Sequence, residues 1–475
     1  MRNNRYSNHF YIKLLVTLVL FAYVFFTPWR YSYTEEEFIA EFPQINSDYV
    51  ADNARLYQLA AELNPLVRNT VYDNLKEEDI TQEFIISEVK RTAKENDIPV
   101  LIWWSNLYPD MTDFKQCGKS TCVVTRDRKI FSDKEFENVA ILFYGSSVNW
   151  DDLPLPRSTQ LWGLLHDESS KNNIELNFIE VLSLFNYTST FSRYSDVPLT
   201  TMYLPTLNYL TEPVNYPPSE MQESRGSVLY IHSDCQVPTY RDLYTKELMK
   251  HITVDSYGSC LNNKEFPDYL KSGGNILKFQ HEDLYKFIQG YKFTLAFENS
   301  RCDDYITEKL WRPLHMRSIP IYHGARTVKD WVPAEHSVIY AEDFNNPREL
   351  ADYLKYLEAN ETAYEEYFSY KVKVTNQRLI NAMNDRIWNY YKDGIDFIEG
   401  FNCLMCQKLD ELSIAKKENR VIPPRIVDIK HYNCETPQKR LTKKYMDHFD
   451  WYGVYARGYN HAKVIRNRVL NNTHF

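Results

Sequence analysis

Short apolar runs separated by longer polar stretches form the dominant pattern from about residue 99 onward. Eight of these runs are rich in Val, Ile, Phe and Tyr and have the length of strands: Val100–Trp104, Val139–Tyr144, Ile179–Phe185, Val228–His232, Ile252–Val254, Phe293–Phe297, Ile319–Tyr322 and Val338–Tyr340. Most are too short to be helices, and helical stretches lie between them. Buried parallel strands that alternate with helices have this pattern, so it predicts an α/β fold.

A polar, proline-bearing stretch, Thr211–Gly226, shows no apolar period and divides the strands into two groups. Such a stretch is typical of a linker, and it predicts domains at residues 98–215 and 225–400. Ligands of open α/β sheets bind at the carboxyl ends of the strands, so two such halves would form a cleft between them. Residues 401–475 then make up a C-terminal segment that ends in a basic tail.

An unbroken apolar run near the N-terminus, Leu14–Thr27, follows three basic residues. A membrane-spanning helix needs about 20 apolar residues, and the run reaches the lower limit when it is counted from Phe10. We predict a cytoplasmic tail at residues 1–13 and a transmembrane signal-anchor at 14–29, with the remainder of the chain luminal. A cleaved signal peptide is the alternative, but bulky residues follow the run in place of a small-x-small cleavage site.

Composition adds to the prediction of a luminal protein. Residues 30–97 are acidic and have apolar positions at helical spacing, which predicts a partly helical stem. Three Asn-x-Thr triplets give candidate N-glycosylation sites at Asn186, Asn360 and Asn471. The net charge of −9 argues against a nucleic-acid partner, which requires a positive field. Eight cysteines are enough for a few disulfides in an oxidising compartment.

The segment Tyr291–Gly324 carries the most informative chemistry. A strand that ends at Phe297 is followed by polar residues, and Asp303 or Asp304 is suited to cap a helix that stops around Pro313. The free N–H groups and the dipole of a helix start favour phosphate, and a lysine within this helix could reach a diphosphate. An ordinary β-α unit with a solvated Glu-Lys pair is the alternative interpretation.

Within this segment, FENS followed by Tyr-Ile-Thr-Glu-Lys-Leu resembles the donor-binding signature of the alpha-1,3-fucosyltransferases, glycosyltransferase family 10. The resemblance extends from about Pro99 to Cys406, and it is strongest to the branch of alpha-1,3-fucosyltransferases 10 and 11. Some members of that branch are GDP-fucose protein O-fucosyltransferases. The shared segments are LPLPR (153–157), ESxxNN (168–173), FNYTSTFSR (185–193), VDSYG (254–258), CDDYITEKLWRP (302–313) and NQRL (376–379).

The resemblance implies a GT-B architecture, in which two Rossmann-like domains face a cleft. Residues 98–215 would then form the acceptor side and residues 225–400 the GDP-fucose-binding domain. The positions of this sequence that would contact or border GDP-fucose are Ser233, Arg241, Gly258, Asn299, Tyr305, Glu308 and Lys309. Of these, Glu308 would bind a hydroxyl of the nucleotide sugar, and Arg241 and Lys309 would bind the phosphates.

A second segment supplies a candidate base. Inverting fucosyl transfer needs one group to accept the proton of the acceptor hydroxyl, and a partly buried carboxylate suits this task. The resemblance places Glu168 at the glutamate proposed for that role, with Asp167 and His166 as rivals. Many relatives have Glu-Ser-Pro where this chain has Glu-Ser-Ser, a departure that leaves the carboxylate in place.

Many glycosyltransferases stabilise the departing diphosphate with Mn²⁺ on an Asp-x-Asp motif, and this chain contains none. Arginine, lysine and backbone N–H groups can supply the same stabilisation. We therefore expect metal-independent catalysis, with no cofactor besides the donor substrate GDP-fucose.

The cysteines allow two interpretations. Cys403-Leu-Met-Cys406 could bind zinc, but a luminal chain favours disulfides. The resemblance implies that Cys117 and Cys122 bond Cys403 and Cys406, which would return the end of the chain to the first domain.

Taken with the resemblance, the sequence indicates a GDP-fucose fucosyltransferase anchored in the Golgi or endoplasmic reticulum membrane. The branch points to Ser or Thr hydroxyls of a luminal glycoprotein as acceptor, and O3 of N-acetylglucosamine in a glycan is the alternative. A transferase for another nucleotide sugar and a catalytically silent luminal binding protein also remain open.

Overall fold

The structure is a computed structural model that describes residues 82–107, 112–132, 136, 138–157, 160–213, 227–271, 282–388, 396–437 and 450–471. The predicted cytoplasmic tail and signal-anchor, and most of the predicted stem, lie outside the described residues. Among the helices of the described ranges, none combines the length and the apolar character that a membrane crossing requires.

Eleven strands occur in the described ranges: β1 Val100–Trp103, β2 Asp113–Cys117, β3 Ser120–Thr125, β4 Val139–Tyr144, β5 Leu161–His166, β6 Tyr187–Thr190, β7 Val228–Ile231, β8 Val254–Tyr257, β9 Phe293–Phe297, β10 Ile319–His323 and β11 Ile339–Tyr340. They form a six-stranded sheet of order β2-β3-β1-β4-β5-β6 and a five-stranded sheet of order β11-β10-β9-β7-β8. All pairs are parallel except β2 with β3.

Helices connect and cover these strands. The α-helices of the described ranges are α1 Gln82–Glu95, α2 Lys129–Ser132, α3 Ile179–Leu182, α4 Asn208–Thr211, α5 Arg241–Leu248, α6 Asp268–Lys271, α7 Glu282–Gln289, α8 Glu308–Met316, α9 Pro347–Ala359, α10 Glu361–Glu365, α11 Gln377–Asp385, α12 Phe397–Lys417 and α13 Trp451–Asn471. Short 3-10 helices lie at Gly145–Ser147, Ile174–Asn177, Val328–Asp330, Ala341–Asp343, Glu366–Lys371 and Ile429–Tyr432. The α/β class predicted from the sequence is confirmed.

Several predicted strands agree closely with the structure, and one is wrong. Strands β4 and β9 have the predicted bounds, whereas Ile179–Phe185 begins with the helix α3. Its apolar residues follow a helical period, since Val181, Leu182 and Phe185 are buried while Ile179 is exposed. The predicted strand Ile252–Val254 is displaced, because β8 begins only at its last residue.

Strands β2, β3, β5 and β6 were not predicted, and the loop after β5 carries the candidate base. Gly163 lies in the middle of β5, although glycine weakens strand interiors. The structure gives this glycine a packing role. A Cβ atom there would come within 2.9 Å of both Leu142 and Phe401, so its absence lets helix α12 approach the sheet closely.

Helix α12 returns the chain to the first sheet. It begins inside the predicted second domain and crosses the predicted boundary at residue 400, yet it packs against the strands of the six-stranded sheet. Two disulfides fix it there, Cys117–Cys403 and Cys122–Cys406, which is the pairing that the resemblance implied.

The other four cysteines are also paired. Cys235 bonds Cys260 beside strands β7 and β8, and Cys302 bonds Cys434, which lies 132 residues further along the chain. All eight cysteines are therefore in disulfides.

The two bridges to α12 predict a non-additive effect on stability. They span 286 and 284 residues and lie side by side, so each closes only a ring of roughly ten residues once the other has formed. Replacing either pair with serine should lower the free energy of unfolding by about 3 kcal/mol, and replacing both by about 8 kcal/mol. Guanidinium unfolding of the three variants measures this, and a double loss no larger than the sum of the single losses would contradict it.

Candidate active site

The carboxyl ends of the two sheets meet in a cleft. Strand β5 ends at His166 and is followed by the loop Asp167–Ser170, and strand β9 ends at Phe297 and is followed by Glu298–Ser300. Hydrogen bonds join the two loops directly. Ser169 Oγ donates to Asn299 Oδ1 at 2.8 Å, and the hydroxyls of Ser170 and Ser300 lie 3.3 Å apart.

The candidate base lies at this junction. The hydroxyl of Tyr305 donates to Glu168 Oε2 at 3.2 Å, so the structure brings together the base candidate and a predicted donor contact. Burial, and then the neighbouring charge of Asp167, raise the pKa of Glu168 to about 7. The charge of Lys309 acts to lower the same pKa, so Glu168 interacts electrostatically with the helix that carries Lys309.

The two rivals of Glu168 have different surroundings. His166 is completely buried, with Nε2 3.0 Å from Ser146 Oγ and Nδ1 2.8 Å from Tyr432 Oη. Burial lowers the pKa of this imidazole to about 3, so it is neutral. Asp167 accepts a hydrogen bond from Tyr144 Oη at 3.0 Å, and burial raises its pKa.

The helix that carries Lys309 begins later than predicted. Helix α8 starts at Glu308, and Thr307 is its N-cap, with Oγ1 accepting from the Lys309 N–H. Asp304 does not cap this helix. Its backbone has a φ of 66°, and its buried carboxylate accepts from Thr327 Oγ1. Pro313 lies inside the helix, which ends three residues after it, at Met316.

A buried glutamate that the sequence reading did not single out supports this helix start. Glu298 is fully buried, and it accepts from Thr307 N at 2.8 Å and from Thr307 Oγ1 at 2.9 Å. Its carboxylate also lies 3.6 Å from Lys309 Nζ. The sequence signal for this role was the position of a glutamate between a buried strand and a helix start. A charge that is buried there needs hydrogen-bonding or ionic partners.

Charges of both signs are concentrated at the first turn of α8. Lys309 Nζ donates to Glu308 Oε1 at 3.2 Å. Burial alone would raise the pKa of Glu308, but Lys309 and Arg312 outweigh it and lower that pKa to about 2. Burial acts to lower the pKa of Lys309, but Glu308 and Glu298 outweigh it, so the lysine is charged.

The remaining predicted donor residues line the same edge of the second sheet. Arg241 is the first residue of α5 and is buried, with its guanidinium donating to the carbonyls of Phe297 and Asp234. The charge of Arg241 acts to lower the pKa of Lys309, so the two cations are close enough to interact electrostatically. Such a pair suits a ligand with several negative charges.

Strands β7 and β8 end side by side at this edge. Ser233 follows β7 and is exposed, and Gly258 follows β8 with a φ of 84°. A Cβ atom at Gly258 would lie 2.6 Å from the carbonyl oxygen of His232, so only glycine allows the two backbones to approach this closely. The bridge Cys235–Cys260 holds the following loops together.

An arginine in one of the shared sequence segments joins the two halves. Arg193, which follows β6, binds the carboxylate of Asp304 through Nε at 2.9 Å and that of Asp330 through Nη1 at 2.7 Å. The Arg193 guanidinium lies over the Trp331 ring, 4.7 Å from its centroid, and Trp331 Nε1 donates to Asp304 at 2.9 Å. This network, in which Asp304 and Trp331 are buried, fixes the first sheet relative to the donor motif.

Candidate metal-ligand groups are few among the described residues. Within them, the one group with metal-ligand spacing is Cys235, Asp242 and Cys260. The two cysteines are bonded to each other, so they have no thiolates to offer a cation.

The three candidate N-glycosylation sites differ in accessibility. Asn186 is buried, and its side chain accepts from Trp162 N at 2.8 Å and donates to the carbonyl of Arg425 at 2.7 Å. The folded chain leaves no room for a glycan there, which corrects the expectation from the triplet. Asn360 caps α10 and Asn471 is exposed at the end of α13, and both remain predictions.

Two family models match this chain. The model described as "Glycosyltransferase family 10 (fucosyltransferase) C-term" matches residues 221–423. The model described as "Fucosyltransferase, N-terminal" matches residues 95–202. Together they cover both sheets and the cleft between them.

Similar proteins agree with these matches. "GDP-fucose protein O-fucosyltransferase 3" of Canis lupus familiaris is 38% identical over 82% of this chain and 80% of its own length, and the protein of the same name from Homo sapiens is 38% identical over 73% of both. A solved structure titled "Crystal Structure of alpha1,3-Fucosyltransferase with GDP-fucose" aligns with 65% of this chain and 90% of its own, with 17% identity and a TM-score of 0.37. The two family models and the identity to the curated relatives show that this chain belongs to glycosyltransferase family 10, the fucosyltransferases.

Proposed function

We propose that this chain is an inverting, metal-independent fucosyltransferase that moves L-fucose from GDP-fucose to a Ser or Thr hydroxyl of a luminal protein. The observation that carries the proposal is the position of Glu168 across the cleft from Lys309. Its carboxylate has a raised pKa and accepts a hydrogen bond from the hydroxyl of Tyr305. The protein acceptor is inferred from the relatives named GDP-fucose protein O-fucosyltransferase 3.

In the proposed reaction, Glu168 accepts the proton of the acceptor hydroxyl while that oxygen attacks the anomeric carbon of fucose. The new bond forms on the face opposite the nucleotide, and the bond between the anomeric carbon and the β-phosphate oxygen breaks. GDP leaves with the bonding electrons, and the configuration of the anomeric carbon is inverted. A carboxylate with a pKa of about 7 suits the task, since a base works best when its pKa lies near the operating pH.

Negative charge grows on the β-phosphate as GDP departs. Lys309 at the first turn of α8 and Arg241 at the first turn of α5 are held by buried partners, so their charges are already in place before the reaction. Preorganised charges of this kind stabilise a developing anion without reorganisation. We assign the diphosphate to these two residues, and a hydroxyl of the nucleotide sugar to Glu308.

We place the reaction in the lumen of the Golgi or endoplasmic reticulum, with the chain anchored through residues 14–29. The pairing of all eight cysteines supports an oxidising compartment. Asn360 and Asn471 are the glycosylation sites that we retain.

The proposal predicts a specific donor and acceptor. Purified luminal protein should transfer fucose from GDP-fucose, but not from GDP-mannose or UDP-sugars, to a Ser or Thr hydroxyl of a folded luminal domain. Turnover should persist in EDTA, and added Mn²⁺ should change it less than twofold. Mass spectrometry of parallel reactions with protein and N-acetylglucosamine acceptors measures this.

Transfer to the sugar acceptor alone would replace protein O-fucosylation with glycan fucosylation. GDP-fucose binding without any transfer would favour a silent binding protein, and dependence on Mn²⁺ would refute the metal-independent mechanism.

The proposal also predicts the consequence of removing the base. Glu168→Gln keeps an acceptor for Tyr305 but cannot take a proton, so kcat should fall roughly 10²–10⁴-fold. The dissociation constant for GDP-fucose should change less than threefold. Glu361→Gln, an exposed glutamate at the start of α10, is the matched control and should retain full activity. Equal kcat values for the two variants would show that Glu168 is not the base.

The pH profile provides a second readout of the same residue. The active form is the carboxylate, so kcat/KM should rise with pH and level off above about 7, falling tenfold per unit below that value. Because Asp167 raises the pKa of Glu168, Asp167→Asn should move this limb to lower pH. A limb that stays in place in Asp167→Asn would contradict the assignment.

A further inference from the structure

A segment beyond the family match reaches the active-site cleft. The C-terminal family model ends at residue 423, and the segment Val427–Glu435, here called the strap, follows it. The strap is bonded to the first half of the molecule: Val427 N donates to the carbonyl of Phe185 at 3.1 Å, and the hydroxyl of Thr190 donates to the carbonyl of His431 at 2.6 Å.

The far end of the strap is bonded to the second half. Cys434 forms the disulfide with Cys302, which immediately precedes the Asp-Asp-Tyr of the donor motif. Asp303 N donates to the carbonyl of Asn433 at 2.8 Å, and Glu435 N donates to the carbonyl of Arg301 at 2.7 Å. The strap is therefore hydrogen-bonded to the edge of the first sheet and covalently bonded to the donor motif.

Tyr432 lies between these two attachments and is completely buried. Its hydroxyl is 2.8 Å from His166 Nδ1 and donates to the carbonyl oxygen of Glu168 at 3.0 Å. Its ring stacks on His166, with centroids 5.4 Å apart, and also contacts Phe191 at 4.9 Å. Phe191 in turn packs on Tyr305 at 5.2 Å.

One arrangement of protons satisfies this whole chain. His166 is neutral and carries a single ring proton. If that proton is on Nδ1, it is donated to Tyr432 Oη, and the tyrosine proton is free for the carbonyl of Glu168. The hydroxyl of Ser146 then donates to Nε2. Each of these donors has one acceptor. The series of hydrogen bonds therefore runs in one direction, from Ser146 through His166 and Tyr432 to the backbone carbonyl of Glu168.

The base is consequently held at two points. Tyr305 binds its carboxylate, Tyr432 binds its backbone carbonyl, and the two tyrosines are joined through the ring of Phe191. A shift of the Glu168 backbone would require movement of Tyr432, which the strap attaches to both halves of the molecule. A displacement of about 1 Å in catalytic geometry can cost roughly a hundredfold in rate.

We infer that Tyr432 is a positioning residue, which holds the backbone of Glu168 so that its carboxylate keeps its place against Tyr305. The inference rests on the proposed role of Glu168 as the base. It assigns to the strap, which lies outside the family match, a function in transfer beyond its contribution to folding.

The test is Tyr432→Phe, which removes the hydroxyl and keeps the stacked ring. The matched control is Tyr370→Phe, because Tyr370 is equally buried and its hydroxyl also donates to a backbone carbonyl, that of Leu314. Tyr432→Phe also loses the bond from His166 Nδ1, so its melting temperature should fall at least as far as that of Tyr370→Phe, and the comparison rests on kcat and the pH profile. Only Tyr432→Phe should lose kcat, by about tenfold, with the dissociation constant for GDP-fucose within twofold of the parent protein.

The pH profile separates positioning from a general loss of stability. The ionisable groups that interact with Glu168 include Asp167, Glu308 and Lys309, and the tyrosines Tyr144, Tyr305 and Tyr432. In Tyr432→Phe the backbone of Glu168 is no longer held, so its carboxylate should be more hydrated and its pKa lower. The acid limb of kcat/KM should therefore move to lower pH, whereas Tyr370→Phe should leave it in place. A kcat and an acid limb like those of Tyr370→Phe would overturn the inference, as would a fall in GDP-fucose affinity with kcat unchanged.

Glu168→Gln distinguishes the two levels of the account. If that variant remains active, the proposed base is wrong whatever Tyr432→Phe does. If Glu168→Gln is inactive and Tyr432→Phe behaves like Tyr370→Phe, the base stands and the positioning role alone is refuted.

Discussion

The enclosure of one partly buried carboxylate between two sheets is the constraint on which the cleft depends. Glu168 lies where the carboxyl ends of both sheets meet, and enclosure there raises its pKa to about 7. A charge taken out of water is costly unless partners surround it, and the donor motif supplies them: Tyr305 from the loop before α8 and Lys309 from the first turn of that helix. The same low-dielectric setting strengthens the action of Lys309 on a departing phosphate. Base and leaving-group stabilisation therefore result from a single packing arrangement.

Sequence patterns predicted the parts of this arrangement that depend on local order. Buried strands such as β9 have apolar runs with the right length, and the donor signature is continuous, so both could be recognised. Strand β5 has a glycine in its middle, and only the tertiary structure shows that Gly163 makes room for helix α12. The start of α8 was misplaced because Asp304 suits a helix cap, whereas its buried bonds to Arg193 come from 111 residues away.

Long-range links account for most of what the sequence could not predict. The bond between Cys302 and Cys434 and the contacts of Tyr432 join segments that are distant in the chain, and no spacing rule identifies them. The burial of Asn186 is also a long-range effect. A glycosylation triplet gives no information about Trp162 of strand β5 or about Arg425, which bind its side chain in the folded protein. In each case the tertiary structure decides which of several locally acceptable roles a residue takes.

The most direct test of the account is a crystal structure of the chain with a non-transferable GDP-fucose analogue and a protein acceptor. The account predicts a carboxylate oxygen of Glu168 within about 3 Å of the acceptor hydroxyl, on the face of the fucose opposite the nucleotide. It also predicts Lys309 and Arg241 at the diphosphate. A complex in which Asp167 or another carboxylate contacts that hydroxyl, and Glu168 faces away from the anomeric carbon, would contradict it.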